Sequence, residues 1–582
     1  MDIWHADEEA TVELHGPAHR GTETGSLLKT LAPPAEAACL SMPAHVLMAS
    51  GGDIRLQVDP ETGLNGYGCS HRPRPWAISF ASSTASSVSE RGYVAAEAAL
   101  LRARRMALGE RNSIVAINAC FGEVRQMLAQ LLGLDIGTRI VLSASGTDAE
   151  LLALALTHIG GDQHAPICNL LVGAEETGRG VPLAARGCHF AVDTALGRKV
   201  TPGTLIDGFR PDTRFVTIRL RSNGGNIKPI ELIEAEIRDA VQYAIARGER
   251  VLVHAVDVSK TGVLAPRLAL LHELRRTHGS KFDLVIDACQ TRLSPASIAR
   301  YVALDAVVLI TGSKFFSGPP FSGAALIPAS IARRLADQEI PTGLGDYFAQ
   351  DNFSSNCRAA RKLPPGNIGL ALRWHAALAE MQAFFAVPVN QRHAIIERFG
   401  EAVRAAISAH PRLELIPAAP LFRHGAEEAW ERSASIFTFV VLAGPNSKQR
   451  WLGLEETQAL HRWLNADLSE ILPHERYLAS KVCHIGQSIP LSNLAGAEPS
   501  AALRISAGAR LVSGEFSHSH LSNSEGPQKE LRDVFFVFEK LDLILRNWHL
   551  IKNEDPKPRY DTAGDAGSFV MCARATKAHV SK

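Results

Sequence analysis

Ile310–Pro320 reads ITGSKFFSGPP, and Lys314 within it follows the run DAVVLI at Asp305–Ile310. Five consecutive apolar residues bounded by polar ones predict a strand covered on both faces, central in a parallel sheet. The run ends in Thr311, Gly312 and Ser313, small residues that let an anion approach closely. Upstream, DLVI at Asp283–Ile286 predicts a second strand, which delivers Asp287 at its carboxyl end with Gln290 three residues on, in DACQ. Ligands bind outside the carboxyl edge of an open α/β sheet. A lysine and an aspartate separated by 27 residues (314 − 287) are therefore both expected at that edge.

A third element lies earlier, in RIVLSASGTDAELLALAL from Arg139. It predicts a strand over Arg139–Leu142 that passes through Ser145, Gly146 and Thr147 into a helix starting near Asp148. Backbone amides at a helix amino terminus, with the macrodipole behind them, favour an anion such as a phosphate. Alone, Ser-Gly-Thr before a helix is an N-cap. Followed by a strand-end Asp and then a strand-end Lys, it matches the needs of pyridoxal phosphate (PLP). The aldehyde of that cofactor condenses with a lysine amine, which must be partly deprotonated in a dry pocket. A carboxylate paired with the pyridine nitrogen makes the ring an electron sink. Gln290 is placed to hydrogen-bond the phenolic oxygen.

With these motifs the chain resembles the fold type I PLP enzymes, and within them the class V aminotransferases and cysteine desulfurases, from roughly Ser79 to Val512. Four further stretches carry the resemblance. HAVDVSKTGVLAP, with Ser259, Thr261 and Gly262, is similar to the family's strand and Thr-Gly turn. LPPGNIGLALRWHAALAEM, Leu363–Met381, looks like the entry to the long helix that joins two domains. VCHIGQSIPL, around Cys483, occupies the place of the desulfurase cysteine loop. ALRISAGARLV offers Arg504, suited to clamp a substrate carboxylate with its planar fork.

The resemblance implies an α/β, PLP-dependent transferase fold: a large domain with a mostly parallel seven-stranded sheet and helices on both faces, plus a smaller α+β domain. It implies PLP as cofactor, a small-molecule amino substrate and a homodimer. Lys314 would be the catalytic residue, and Ser145, Gly146, Thr147, Glu176, Thr177, Ser259, Asp287, Gln290, Thr311 and Ser313 would join it around the cofactor. Arg504, Tyr67 and Ser70 would contact substrate, with Arg74 beside them. Chemistry would run through an external aldimine and an α-carbanion, with Lys314 as general base.

Departures from the family pattern narrow the reaction. VGAEETGRGVPLAARG puts Glu176 or Thr177 where desulfurases stack a histidine on the ring, and Ser313 replaces the histidine before the lysine. Pro365 and Gly366 stand where the family reaches a neighbouring subunit's phosphate. Cys483 lacks flanking Ser-Gly flexibility and reads as a buried structural thiol. Aminotransfer is the expected reaction. Elimination, replacement or carbon-carbon bond formation at the β or γ carbon is the alternative, C-S lysis ranks below both, and a catalytically silent binding protein is the alternative of another class.

Composition agrees. A chain of 582 residues with 46% hydrophobic content can bury a large core. A net charge of +1 supplies no basic field, so nucleic acid is not an expected partner. Nine cysteines, without a CxxC pair, suit a reducing compartment. No membrane span and no secretory signal are expected, and the reading places the protein in the cytoplasm. The pair His518 and His520 has no third ligand at a recognisable spacing, so no metal is expected.

The expected organisation is an arm and active-site loop over 1–90, a large PLP-binding domain over 91–375, a small domain over 376–550 and a flexible tail over 551–582. Asp59–Ser86, rich in Gly, Pro, Ser and aromatics without period, reads as an ordered functional loop. Helices are expected from Tyr93 and Phe121. The 141 residues between Gly146 and Asp287 (287 − 146) imply an insertion around Asp193–Asn226.

Overall fold

The computed structural model describes residues 40–558 apart from 161–164, 223–224, 355–356, 419, 422, 424–426, 445–449, 492–499 and 515–525. Its strands, in chain order, are β1 (Ile78–Phe80), β2 (Arg139–Ser143), β3 (Ile167–Val172), β4 (Arg214–Ile218), β5 (Arg250–Val256) and β6 (Phe282–Asp287). They continue with β7 (Ala306–Thr311), β8 (Gly323–Ile327), β9 (Leu413–Leu415), β10 (Ile436–Val441), β11 (Cys483–Leu491) and β12 (Ser500–Ser506).

Seven of them form one sheet in the order β2-β8-β7-β6-β5-β3-β4. β8 runs antiparallel to both of its neighbours, β2 and β7. The other pairs are parallel. Hence β2, β7, β6, β5, β3 and β4 all point the same way, and their carboxyl ends line one edge. This is the mostly parallel seven-stranded sheet expected from the sequence, with strand bounds one residue longer at Thr311, Asp287 and Ser143.

Alternation along the central strands shows why they read as apolar runs. Val308 and Ile310 of β7, Leu284 and Ile286 of β6, and Val251 and Val253 of β5 pack in one core with Leu100, Phe121, Val124, Leu372 and Leu378. The intervening Val307, Leu309, Val285 and Leu252 pack in a second core with Leu151, Leu152 and Leu154. The first core is roofed by the helices Glu90–Glu110, Ser113–Leu131 and Ile368–Ala386, the second by the helix Gly146–His158. A strand flanked by helices on both faces needs apolar residues at every position. Each such Val or Leu contributes about 1.5–3 kcal/mol on burial.

The remaining strands form a five-stranded sheet, β1-β11-β12-β10-β9. Its core contains Phe399, Phe437, Phe439, Leu460, Trp463 and Leu541. The long helix expected near Leu363–Met381 spans Ile368–Ala386, and after Val387 and Pro388 a second helix, Val389–Ala409, lays Phe399, Val403 and Ile407 on this smaller sheet.

Two expectations are corrected. Ile78–Phe80, inside the stretch read as a loop, forms β1 and pairs in parallel with Cys483–Ile485. Three residues are too few to show a period, and the partner is remote in sequence. The tail expected from residue 551 begins inside a helix, Trp548–Glu554. Trp548 meets Trp463 edge to face at 5.0 Å, and Ile551 is fully buried, which holds this turn on the small core. The remainder of the expected tail, from residue 559, lies outside the described residues.

Candidate active site

Strands β6 and β7 are parallel neighbours, with Asp287 opposite Leu309, so Asp287 and the segment carrying Lys314 emerge at the same edge. Hydrogen bonds cross-link their ends. Thr311 Oγ1 donates to the Cys289 carbonyl at 2.7 Å, Thr311 N–H donates to Thr291 Oγ1 at 3.0 Å, and Cys289 N–H donates to Asp287 Oδ1 at 3.0 Å. After β7 the chain turns tightly, with Ser317 N–H donating to the Lys314 carbonyl at 2.8 Å and Ser313 buried beside it. Burial, and then the charge of Asp287, push the Cys289 thiol well up, while Lys314 opposes them.

The third piece arrives at the same atom. A Cβ on Gly146 would stand 2.5 Å from Cys289 Sγ and 3.9 Å from the Thr311 methyl. Only glycine lets the helix Gly146–His158 approach the strand ends this closely. The helix starts two residues earlier than expected, with Ser145 as N-cap accepting Asp148 N–H at 3.3 Å and donating to the Asp148 carboxylate. Burial raises that carboxyl to about 7; Asp53 adds to the rise, and Ser145 and Arg55 oppose it. Thr147 is buried, with Gly178 against its hydroxyl.

Tyr67 reaches this turn. It packs with Leu56, Ala144, Ala195 and Phe321, and the Arg55 guanidinium lies 5.9 Å from its ring centroid. Ser70 does not: its hydroxyl accepts Arg72 N–H and its N–H donates to Ser87 Oγ, both at 3.0 Å, so it organises the loop instead of facing the crevice. Arg74 likewise donates to the Gly68 carbonyl and Asn465 Oδ1, each at 3.3 Å. A short polar side chain in a glycine-rich loop finds backbone partners nearby first.

Arg504, on β12, is brought to the edge from the smaller sheet. Its Nη2 donates to Thr84 Oγ1 and to the Gln487 carbonyl, both at 2.8 Å, and its Nη1 reaches the Ser83 carbonyl at 3.4 Å. Burial lowers its pKa to about 10, with Glu176 opposing. Gln290 Nε2 donates to the same Ser83 carbonyl at 3.1 Å. Among the described residues, Gln290 Oε1 and Ser83 Oγ are buried without a hydrogen-bond partner. Such orphaned polar atoms are costly unless a ligand meets them.

Glu176 is differently employed from the expectation. Arg221 Nε donates to its Oε1 at 2.5 Å, and the Ser259 and Thr261 hydroxyls both donate to its Oε2. Arg221 Nη2 also donates to Thr261 Oγ1 at 2.8 Å. Its carboxylate is thus consumed by a buried network and is not free to face a ring. Ser259 belongs to that network too, and Thr177 donates to the Ala174 carbonyl at 3.1 Å, closing a turn.

Sequence reasoning missed three groups. Arg221 comes from the expected insertion, just past β4. Lys260, between Ser259 and Thr261, has its amine lowered to about 7 by burial and then by Arg504, Lys314 and Arg179, with Glu176 opposing. The lysine in the quoted SKTG turn was the available signal. Glu150, one turn into the helix after Ser145, contacts His254 Nδ1 of β5 in a fully buried pair, and burial raises its pKa, as does Asp287. Cys483 opens β11, fully buried, and burial raises its thiol to about 11, as a structural cysteine requires. Gly366 N–H donates within the chain, to Asp351 at 2.6 Å. Among the described residues no cluster could hold a metal ion; His518 and His520 lie outside them. No helix among them is long and apolar enough to cross a membrane.

No family model matches the chain, and no curated protein is similar to it. Several solved structures are. The cystine C-S lyase C-DES, in complex with its product cysteine persulfide, is 14% identical with a TM-score of 0.46, covering 79% of this chain and 97% of its own. The cysteine desulfurase CsdA of Escherichia coli is 13% identical with a TM-score of 0.46, over 81% and 95%. The tryptophan decarboxylase of Catharanthus roseus, in complex with L-tryptophan, is 13% identical with a TM-score of 0.43, over 79% and 82%.

Proposed function

We propose that the chain is a PLP-dependent enzyme acting on an amino acid or amine, and that its reaction is amino-group transfer. The observation that carries this reading is the meeting, at the carboxyl edge of a parallel sheet, of Asp287 bonded to the Cys289 N–H, a helix amino terminus whose Gly146 lies against Cys289 Sγ, and the tight turn after β7 that carries Lys314. The donor set suits the cofactor: an anion cradle at Ser145, Gly146 and Thr147, a carboxylate at Asp287, an amine at Lys314, and orphaned polar atoms on Gln290 and Ser83. Bound there, pyridoxal phosphate supplies an imine-forming aldehyde and a ring that takes up the electron pair released at the substrate's α carbon.

The chain's own residues do the rest. Lys314 would hold the cofactor through its amine and would serve as the base for the proton on the substrate's α carbon. Asp287 would pair with the ring nitrogen and favour its protonated form. Arg504 would take the substrate carboxylate only by giving up some of the Thr84, Gln487, Ser83 and Lys260 oxygens that now accept its N–H groups. Tyr67 and Phe321 pack with Ala144 beside the proposed phosphate turn, and the Arg55 guanidinium lies over both rings. Burial of Cys483 within β11 supports transfer over sulfur chemistry, since a persulfide-forming thiol must be exposed and ionisable. Incubation with a panel of amino acids tests this: pyridoxamine and a 2-oxo acid are expected, whereas ammonia with a 2-oxo acid would point to elimination.

The active form proposed is a homodimer. On the helix Glu90–Glu110, Val94, Leu101 and Leu108 are exposed at seven-residue spacing, a stripe suited to a second copy.

A further inference from the structure

Glu150 and His254 form a buried pair to which the proposed chemistry gives no task. Glu150 stands one turn after Gly146 on the helix Gly146–His158, His254 lies in β5, and both side chains are 1% exposed. Glu150 Oε2 contacts His254 Nδ1, and among the described residues neither side chain has another hydrogen-bond partner. Positions four apart share a helix face. Glu150 therefore faces the strand ends that Gly146 approaches, where a Cβ on Gly146 would stand 2.5 Å from Cys289 Sγ. The sheet fixes the rest of the placement. Leu252 of β5 and Val285 of β6 turn toward this helix and pack with Leu151, Leu152 and Leu154. Side chains two apart along a strand share a face, so His254, two after Leu252, and Asp287, two after Val285, turn the same way. β5 and β6 pair with His254 opposite Val285 and Val256 opposite Asp287. His254 and Asp287 are thus diagonal neighbours on the helix-covered face, and Glu150 meets the imidazole from the helix.

Two carboxylates in a desolvated place oppose each other's ionisation unless a cation stands with them. An imidazole in contact with one and beside the other can supply that charge. Burial raises the Glu150 carboxyl, Asp287 adds to the rise and His254 opposes it, which agrees with the placement. We propose that Glu150 and His254 are positioning residues for the cofactor's ring nitrogen: the imidazole, charged and held by Glu150, keeps Asp287 in the carboxylate form that this nitrogen requires. The proposal rests on the proposed function, which puts the ring nitrogen at Asp287. Glu150 supplies the counter-charge that lets His254 keep a proton away from water. A pair buried for packing alone could give way to apolar side chains without consequence for the cofactor. The role proposed here requires its charge.

The test compares equilibrium binding of two probes to the purified full chain: pyridoxal phosphate, and its carbocyclic analogue in which C–H replaces the ring nitrogen. Both carry the same aldehyde and phosphate, so they differ only at the atom assigned to Asp287. The wild type is expected to hold pyridoxal phosphate at least about tenfold more tightly than the analogue. Glu150→Gln and His254→Leu should each cut that preference at least about fivefold while leaving analogue binding within about twofold. Where circular dichroism shows that a single variant does not fold, Glu150→Leu with His254→Leu is measured in its place, with the same expectation, because it leaves no buried charge unmatched. Equal weakening of both probes, an unchanged preference, or a wild type that binds both probes alike would overturn the assignment. Failure of the cofactor reading shows differently, as a wild type that takes up neither probe and gains no visible absorption.

Discussion

Arg221 Nε donates to Glu176 Oε1 at 2.5 Å, and both side chains are buried. A buried pair costs most when one partner is removed, because the survivor is left charged and unmatched. Glu176→Leu is therefore expected to lose about 3–5 kcal/mol in urea unfolding, and Glu176→Leu with Arg221→Met less than half of that. Additive losses in the double variant would show that the pair is not coupled.

Asp148 makes stability depend on pH. Its folded-state pKa, raised to about 7, exceeds the ordinary carboxylate value, so its contribution is complete below about pH 4 and is lost as pH rises through about 7. Asp148→Asn removes the ionisation. The variant is expected to gain stability over wild type at about pH 8, by no more than about 4 kcal/mol, and to show little gain at about pH 4. Parallel pH profiles from urea melts of the two proteins would contradict the burial argument.

Gly146 is required by a single atom. Gly146→Ala places a methyl 2.5 Å from Cys289 Sγ, and the strain is expected to cost about 1–3 kcal/mol and to weaken cofactor retention. Adding Cys289→Ala removes the sulfur, and the double variant should recover most of the melting temperature. No recovery would mean that the helix terminus is constrained elsewhere.

The exposed stripe of Val94, Leu101 and Leu108 yields a test of assembly. Light scattering is expected to give twice the chain mass for the wild type, and Leu101→Glu should shift it toward the monomer with lower activity. A wild-type monomer with full turnover would contradict the dimer.

Legibility in the sequence followed the physics of each segment. β7 and β6 were readable because strands buried on both faces carry unbroken apolar runs, and their ends delivered Lys314 and Asp287 without any knowledge of the tertiary structure. Ser145–Thr147 was readable because capping is local. β1 was not, since Ile78 finds its partner only at Cys483. The expectation that Glu176 faces the cofactor could not foresee Arg221, 45 residues away, which donates to its carboxylate. Ser70 failed for the opposite reason: its partners, Arg72 and Ser87, lie within its own loop. The charge state of Lys260 depends on cations from three other segments, so no local pattern announced it.

The account depends most on where an aldehyde attaches. The purified protein, incubated with pyridoxal phosphate, should absorb near the violet edge of the visible; borohydride should fix the cofactor, and peptide mapping should find it on the fragment containing Lys314. Lys314→Ala should give no such adduct and no turnover. An adduct confined to Lys260 or to surface lysines, or full activity in Lys314→Ala, would contradict the central claim.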